Sequence, residues 1–210
     1  MITLNGRQIA DEGLSEWVYL LGGVQTRVRT GDFATGVSFV AAVGDVVGEA
    51  TPDLDVRAGH VDVRITSRVV RGVTADEIRL ARAITSVAGG AGLTLEPAGV
   101  SRLELALDTP DREAVLPFWA AVFAMEVGDG EILDPGDHLP AVWFQGSGSE
   151  EPRQRWHPDI WVDPVQVQPR IDAALAAGGT LVSDEAAPSY WVLADPEGNR
   201  VCLCTWQERR

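Results

Sequence analysis

The chain contains no lysine: all 17 of its basic residues are arginine, set against 31 acidic residues. This absence excludes a Schiff-base lysine and the lysine of a phosphate-binding loop. The formal net charge of −14 leaves no basic face to displace counterions from nucleic acid, and acidic membrane surfaces are poor partners for the same reason. We therefore expect neither a nucleic-acid partner nor a membrane partner.

Cysteine is scarce, and long apolar runs are absent from the sequence. The two cysteines, Cys202 and Cys204, are spaced to face the same side of a predicted strand, near the upper limit of Cα separation for a disulfide. No apolar run approaches the ~18 residues of a membrane span, and residues 1–11 lack the basic start and apolar core of a signal peptide. These features predict a soluble, cytoplasmic protein with reduced thiols.

A glycine-rich break divides the sequence. Residues 88–100 read Ala-Gly-Gly-Ala-Gly-Leu-Thr-Leu-Glu-Pro-Ala-Gly-Val, in which the glycines end a helix and the Pro and Gly precede a new strand. Only Trp17 precedes this break, and six tryptophans follow it. We predict an α+β fold with two domains, residues 1–95 and 96–210.

Helix and strand patterns alternate in the first domain. A hairpin is predicted from residue 17 to residue 29, turned at Gly22-Gly23. Asp32 is placed to cap a helix over residues 33–49, and residues 61–65 alternate as a half-buried strand. Thr74 and Glu77 form a capping box for the next helix. The apolar stripes predicted for the two helices are Phe33, Val37, Val40 and Val47, then Ile78, Ala81, Ile84 and Val87.

Residues 49–77 read Glu-Ala-Thr-Pro-Asp-Leu-Asp-Val-Arg-Ala-Gly-His-Val-Asp-Val-Arg-Ile-Thr-Ser-Arg-Val-Val-Arg-Gly-Val-Thr-Ala-Asp-Glu. This segment resembles the active-site segment of the pterin-4a-carbinolamine dehydratases: His-His-Pro, a strand ending in Thr-His or Ser-His, then Gly-Leu-Thr and an acidic residue. Pro52, Val61, Gly72 and Thr74 match without gaps, and the resemblance covers roughly residues 9–92. The pocket it implies comprises Ala50, Thr51, Pro52, Thr66, Ser67, Arg68 and Glu77.

All three histidine positions of that family carry other residues here. The paired histidines correspond to Ala50 and Thr51, the later histidine to Arg68, and the acidic residue to Glu77. Dehydrating a pterin carbinolamine requires one proton delivered to the leaving oxygen and another removed from a ring nitrogen, a task for imidazole near neutral pH. Ala50 can do neither, the Thr51 hydroxyl does not titrate usefully, and Arg68 can only donate. The resemblance therefore implies binding of a pterin-like ligand or other flat heterocycle, with dehydratase activity weak or lost.

A pattern of strand, helix and three strands occurs twice after residue 100. Thr109 is predicted to cap a helix opened by Pro110, and a second helix is predicted over residues 165–177. Three phrases resemble the vicinal oxygen chelate (glyoxalase and bleomycin-resistance) superfamily: Leu-Pro-Phe-Trp-Ala-Ala-Val-Phe (116–123), His-Pro-Asp-Ile-Trp-Val (157–162) and Asp-Pro-Glu-Gly-Asn (195–199). The resemblance implies a glyoxalase-like domain of paired βαβββ modules.

Metal-binding members of that superfamily take ligands from four strand positions, which correspond here to Ser101, Gln145, His157 and Cys202. Glyoxalase-type isomerisation and extradiol oxygenation require hard oxygen and imidazole ligands. One imidazole, one amide and one thiol do not make that set, so we assign no metal or other cofactor, and His157 is the single candidate ligand. In the alternative interpretation His157 hydrogen-bonds at a strand start and Cys202 is a small buried apolar residue.

Tryptophans are expected to line the cupped sheet of the second domain. Trp143, Trp156, Trp161 and Trp191 lie on its predicted strands, and Trp143, Trp161 and Trp191 are taken as part of the cup. A cup that is lined by aromatic side chains and lacks a complete set of metal ligands suits a flat or apolar ligand.

Three functions stay open on the sequence. The first is a small-molecule binding protein with a pterin-like ligand, and the second is an enzyme of the metal-dependent lyase or isomerase type acting through the glyoxalase-like domain. The third is a non-catalytic oligomerisation module. The dehydratase resemblance implies a homo-oligomer, with helix 74–88 as a candidate interface. His60 and His138 are interpreted as non-catalytic residues, at a strand start and in a solvent-facing loop.

Overall fold

The computed structural model describes residues 2–147, 156–194, 198 and 200–209. Contacts divide the chain into two compact units: residues 1–101 with 162–166 and 205–210, and residues 102–161 with 167–204. The predicted domain boundary at 95/96 stays a prediction. None of the helices in the described residues is long and apolar enough to cross a bilayer.

The first unit is an antiparallel sheet with helices on one face. Its strands are ordered β1-β2-β4-β3, and β5 pairs with β2 beyond the end of β1. The elements are helix α1 (Gly6–Asp11), strands β1 (Val18–Leu20) and β2 (Gly23–Arg29), helix α2 (Phe33–Gly44), strands β3 (Pro52–Val56) and β4 (His60–Ile65), helix α3 (Ala75–Gly90) and strand β5 (Thr94–Glu96), followed by a 3-10 turn at Pro97–Gly99.

The β1–β2 hairpin turns at Leu21 and Gly22, one residue earlier than predicted. Both residues have positive φ, 44° and 71°, as a two-residue hairpin turn with the twist of its strands requires. The turn pairs Leu20 with Gly23 and so sets the β1–β2 register. On its other edge β2 pairs with β4, where Val24 is opposite Ile65 and both side chains are fully buried.

The apolar stripe predicted for α2 is wrong at two positions. The buried residues are Gly36, Phe39 and Val43, whereas the side chains of Phe33 and Val37 are 58% and 50% exposed. The cause is Gly36: a Cβ there would lie 3.4 Å from Val56 Cγ1, so the helix approaches the sheet through its glycine. That contact rotates Phe33 and Val37 towards solvent. The Asp32 cap is as predicted, since its side chain accepts from the Thr35 amide.

Helix α3 begins at the predicted capping box. The Thr74 amide and hydroxyl both donate to Glu77 Oε2, at 2.8 and 2.6 Å. The helix buries Ile78, Ala81 and Ile84 against the sheet, as the helical spacing predicts. The Trp17 indole donates to Thr85 Oγ1 at 2.9 Å and joins the start of the hairpin to the same helix.

The second unit is an eight-stranded sheet built from two modules. Its strands are ordered β11-β12-β13-β10-β6-β9-β8-β7. The first module contains β6 (Arg102–Thr109), α4 (Arg112–Phe123), β7 (Glu126–Val127), β8 (Glu131–Leu133) and β9 (Ala141–Gly146). The second contains β10 (Trp156–Trp161), α5 (Pro164–Ala176), β11 (Thr180–Ser183), β12 (Tyr190–Ala194) and β13 (Arg200–Cys204). The paired βαβββ modules are therefore confirmed, although the short strand β7 was not predicted.

Two parallel strand pairs lie at the middle of this sheet. Strand β6 pairs in parallel with β9, and β10 pairs in parallel with β13. The modules meet through antiparallel pairing of β6 with β10, in which Ala106 is opposite His157 and Glu104 is opposite Asp159. Since strand residues alternate between faces, this register decides which side chains share a surface.

One face of the sheet is apolar and covered. Leu107, Val142 and Phe144 form a core with residues of helix α4, and Trp156 meets Trp119 of that helix edge to face at 5.0 Å. The predicted Thr109 cap is corrected: Asp111 Oδ1 accepts from the Ala114 amide at 3.1 Å, and the helix begins at Arg112 because Asp111 occupies the cap. Except for Gly198, the Asp-Pro-Glu-Gly-Asn phrase lies outside the described residues.

Candidate functional site

The residues of the dehydratase-like pocket lie at one end of the β3–β4 ladder. Pro52 on β3 is opposite Ile65 on β4, so residues 50–51 and 66–68 are neighbours just beyond the paired strands. Ala50 is half-buried and Thr51 is exposed. The structure therefore brings together the two sequence segments that the resemblance connects.

Arg68, which the sequence resemblance predicts at the family's later histidine position, forms an ion pair. Its Nη2 donates to Asp53 Oδ1 at 2.6 Å, and 71% of the arginine side chain is exposed. Arg64 Nη1 lies 3.9 Å from the other Asp53 oxygen. Asp53 thus orients a guanidinium at the rim of the pocket, where it can donate to an anionic or carbonyl-bearing ligand.

Three other polar groups of the pocket have structural partners. The Thr66 hydroxyl donates to the Gly22 carbonyl at 2.8 Å, and the Ser67 amide donates to the Gly72 carbonyl at the same distance. The Glu77 carboxylate, 4% exposed, accepts both polar groups of Thr74. These contacts fix the loop after β4 against the start of α3, and Glu77, in the first turn of α3, completes the capping box with Thr74.

His60 lies away from these residues within the first unit, and His138 belongs to the second unit. His60 begins β4, at the end opposite the pocket, with Nε2 3.9 Å from Asp62 Oδ1. His138 is exposed in a turn organised by Asp134. Backbone hydrogen bonds from Leu139, Gly136 and His138 lower the pKa of the Asp134 carboxyl from its ordinary value.

The face of the second sheet opposite the apolar core carries polar and aromatic side chains. His157, Ala106 and Trp143 lie in one row across β10, β6 and β9. The His157 and Trp143 rings meet edge to face, with centroids 6.2 Å apart. Two strand spacings separate these residues by about 9.6 Å, so the rings lean towards each other over the small Ala106 side chain.

His157 lies between two carboxylates on this face. Its Nδ1 is 3.9 Å from Asp108 Oδ1, and its Nε2 is 3.6 Å from Asp159 Oδ1. Asp159 and Cys202 are directly opposite each other on β10 and β13. Ligand atoms of His157, Asp159 and Cys202 all lie within 4.8 Å of one another. Neither Asp108 nor Asp159 was predicted as a site residue, although the His-x-Asp alternation of β10 is a strand signal for a shared face.

Two buried polar atoms on the same face have no hydrogen-bond partner among the described residues: Asp108 Oδ1 and Trp143 Nε1. Buried polar groups are usually satisfied. The Asp108 oxygen can accept a hydrogen bond, and the Trp143 nitrogen can donate one, to a ligand or to ordered water beside His157.

The other residues assigned to the cup fall into two groups. Trp161 lies on the polar face, and its indole donates to Glu104 Oε2 at 2.6 Å; Gln145 is opposite Asp108 on the same face and is exposed. Trp191 is opposite Leu203, on the other face, because its register differs by one residue from the cup-facing positions of β12. Ser101 precedes β6 and belongs to the first unit. The structure therefore does not bring Trp191 to the face that carries His157.

Comparison with known families agrees with both halves of this architecture. A family model described as "Pterin 4 alpha carbinolamine dehydratase" matches residues 3–87, and one described as "Glyoxalase-like domain" matches residues 104–204. The protein is thus a fusion in which a pterin-dehydratase-like unit precedes a glyoxalase-like sheet unit of the vicinal oxygen chelate type. Both predicted resemblances are confirmed.

Similar proteins define the family of the first unit. The Halobacterium salinarum protein named "Putative pterin-4-alpha-carbinolamine dehydratase", in strains R1 and NRC-1, is 35% identical over 82 residues, which are 38% of this chain and 89% of that protein. Through this part of its sequence, the chain belongs to the pterin-4-alpha-carbinolamine dehydratase family.

Two solved structures are similar at lower identity. The first is a transcriptional coactivator/pterin dehydratase from Brucella melitensis, 21% identical, covering 42% of this chain and 100% of that chain with a TM-score of 0.40. The second is a glyoxalase/bleomycin resistance protein/dioxygenase superfamily member from Vibrio splendidus 12B01. It is 15% identical and covers 50% of this chain and 99% of that chain, with a TM-score of 0.36.

Proposed function

We propose that the first domain, residues 1–95, binds a pterin-like ligand or another flat heterocycle, and that its dehydratase activity is weak or lost. The observation that supports this proposal most is Arg68, held by Asp53 at a distance of 2.6 Å where the family resemblance expects an imidazole. A guanidinium stays protonated at all physiological pH values. It can therefore hold a ligand oxygen, but it cannot take a proton from a ring nitrogen.

Glu77, which the resemblance predicts at the acidic position of the family's active-site segment, supports the same proposal. Its Oε2 accepts from both the amide and the hydroxyl of Thr74, so the carboxylate is engaged in capping α3. Pro52 pairs opposite Ile65, and Thr66 and Ser67 bond to the Gly22 and Gly72 carbonyls, while Ala50 and Thr51 contribute surface without a titratable group. A fixed backbone with one cation at its edge suits binding better than acid–base chemistry.

Arg68→Ala is expected to weaken binding of a pterin by about 10- to 100-fold, because a hydrogen bond to a charged group contributes about 1.5–3 kcal/mol. Equilibrium dialysis of an oxidised and a reduced pterin against the whole chain measures this effect. Arg57→Ala is the matched control: Arg57 forms a similar exposed ion pair with Asp55, at 2.7 Å, at the other end of β3. Equal binding by Arg68→Ala and wild type, or equal loss in Arg57→Ala, would contradict the proposal.

A second candidate function is an enzyme reaction of the lyase or isomerase type on the polar face of the second domain, residues 96–210. The observation that favours it is His157 between Asp108 and Asp159. The Trp143 indole nitrogen beside it has no hydrogen-bond partner in the part of the chain that the structure describes. An imidazole flanked by carboxylates can relay a proton or bind a metal ion. The metal content of protein purified without chelators or an affinity tag, compared with that of His157→Ala, tests the metal-dependent form of this candidate.

We also propose a homo-oligomer, with α2 as the contact surface in place of the predicted helix 74–88. The exposed face of α3 is polar, and its arginines Arg79 and Arg82 pair with Asp76 and Glu12. Helix α2 contains no charged residue and exposes Phe33 and Val37. The same helix of a second copy can cover this face without burying an unpaired charge.

Val37→Asp is therefore expected to shift the chain to a smaller oligomer, since it places a charge at the centre of this contact. Analytical ultracentrifugation at several concentrations measures the mass. Val165→Asp provides the control, because Val165 is an exposed valine (68%) on the unrelated helix α5. A wild-type monomer at all concentrations, or an unchanged oligomer in Val37→Asp, would rule out this interface.

A further inference from the structure

Three side chains on the polar face of the second sheet bring together the donor atoms of a metal site. His157 and Asp159 alternate on β10, so they face the same side, and Cys202 is opposite Asp159 on β13. Their ligand atoms lie within 4.8 Å of one another. Two adjacent strands in a fixed parallel register hold these atoms, which makes the arrangement a property of the sheet.

The distance between the His157 and Asp159 ligand atoms matches a tetrahedral ion. Zinc ligand distances are about 2.0–2.1 Å for nitrogen and oxygen and about 2.3 Å for sulfur, which places neighbouring ligand atoms about 3.3–3.6 Å apart. His157 Nε2 and Asp159 Oδ1 are 3.6 Å apart. This distance is slightly long for a hydrogen bond between them, and it agrees with two ligands of one ion.

The other ring nitrogen of His157 faces a carboxylate, the kind of group that usually orients a ligand histidine. Nδ1 faces Asp108 Oδ1 at 3.9 Å, and this oxygen is buried without a hydrogen-bond partner among the described residues. Metal-bound histidines usually donate their second N–H to a carboxylate, which fixes the ring and raises its basicity. A small closing movement of the imidazole towards Asp108 would complete that contact and leave Nε2 for the ion.

We propose that His157, Asp159 and Cys202 bind one divalent ion of the zinc class. Asp108 orients the His157 ring for this role. The set differs from the one implied by the glyoxalase-like resemblance: Asp159 enters from the strand of His157, and Ser101 takes no part. A thiolate with one imidazole and one carboxylate selects zinc or cobalt over the harder ions that all-oxygen sets prefer, and three protein ligands leave a position open. Binding releases the Cys202 thiol proton to solvent.

This inference is independent of the pterin proposal and deepens the second candidate function. Its relevance to catalysis rests on that candidate, whereas ion binding can be measured without any reaction. If the chain did not bind a pterin, the proposal of the metal site would be unaffected. A metal site that fails would still leave a metal-free reaction on the same face open.

Titration of the whole chain with Co²⁺ under reducing conditions tests the site. Wild type is expected to bind one equivalent, to show a thiolate-to-cobalt charge-transfer band in the near ultraviolet, and to release cobalt to Zn²⁺. Cys202→Ala should lose the band and weaken Zn²⁺ binding by more than the 10- to 100-fold that removal of an outer-shell partner typically costs. Asp108→Asn should keep the band and weaken binding within that 10- to 100-fold range.

Two variants serve as controls for ligand identity. Cys204→Ala removes the other thiol, which lies two residues further along β13 opposite Trp161. The second control is His138→Ala, which removes an imidazole from an exposed loop. Both variants should retain the band and the affinity of wild type. Absence of the band in wild type would overturn the proposal, as would its survival in Cys202→Ala or its loss in Cys204→Ala. Circular dichroism of each variant separates loss of a ligand from loss of the fold.

Discussion

Simultaneous replacement of Ala50, Thr51 and Arg68 by histidine is expected to raise the rate of pterin carbinolamine dehydration by about 10²–10⁴-fold over the wild-type chain, the usual contribution of positioned general acid–base groups. The wild-type residues at these positions cannot exchange a proton with the substrate near neutral pH. Histidine can do so in both directions. The assay is loss of the carbinolamine absorbance, corrected for the spontaneous reaction.

The strand pairing supports this expectation. Because Pro52 is opposite Ile65, residues 50–51 and residue 68 lie at the same end of two adjacent strands. The contacts of Thr66 with Gly22 and of Ser67 with Gly72 hold the second loop without help from the replaced side chains. The three imidazoles would therefore enter a pocket whose backbone is already fixed.

A control for added imidazole is available at the opposite end of the same strands. Arg57→His with Ala58→His converts one arginine and one alanine in an exposed turn, and it should leave the rate at the wild-type level. The prediction fails if the triple variant binds pterin but dehydrates it no faster than wild type. In that case the weak or lost dehydratase activity that we propose would need a cause other than the residues at these three positions.

Most of the first unit was predictable from local signals. The capping box at Thr74 and the alternation of residues 61–65 specify α3 and β4 through hydrogen bonding and burial that depend on near neighbours. The orientation of α2 was not predictable in this way. Phe33 and Val37 satisfy helical spacing, but Gly36 decides which face meets Val56, and that contact crosses from helix to sheet.

The candidate site of the second unit shows the same limit. His157 and Cys202 were found because single residues match positions of a known superfamily. Asp108 was missed because its nearness to His157 depends on the β6–β10 register, which no local pattern specifies. Asp159 follows His157 by two residues on β10, so strand alternation alone could have placed it on the same face. Trp191 shows how strictly strand register decides the face on which a side chain lies. It is one residue away from the cup-facing positions of β12, so its side chain lies on the opposite face.

Glu77→Ala is expected to lower the free energy of opening of helix α3 by about 2–4 kcal/mol. The substitution removes the acceptor of both the Thr74 amide and the Thr74 hydroxyl, and a buried donor left unsatisfied costs about 1–3 kcal/mol. Thr74 and Glu77 are 3% and 4% exposed, so water replaces the lost acceptor poorly. Glu77→Gln retains an acceptor oxygen at the same reach and should cost about 1 kcal/mol, the net value of an ordinary hydrogen bond.

Hydrogen exchange of the α3 amides in the whole chain measures this effect within the relevant unit, since two compact units need not unfold in one transition. The expected loss corresponds to exchange faster by roughly one and a half to three orders of magnitude, while exchange in α5 of the second unit stays at its wild-type rate. If α3 exchanged at the wild-type rate in Glu77→Ala, the carboxylate would not be acting as a cap. It would then be available to a ligand, and the assignment of this pocket to binding without acid–base chemistry would have to be revised.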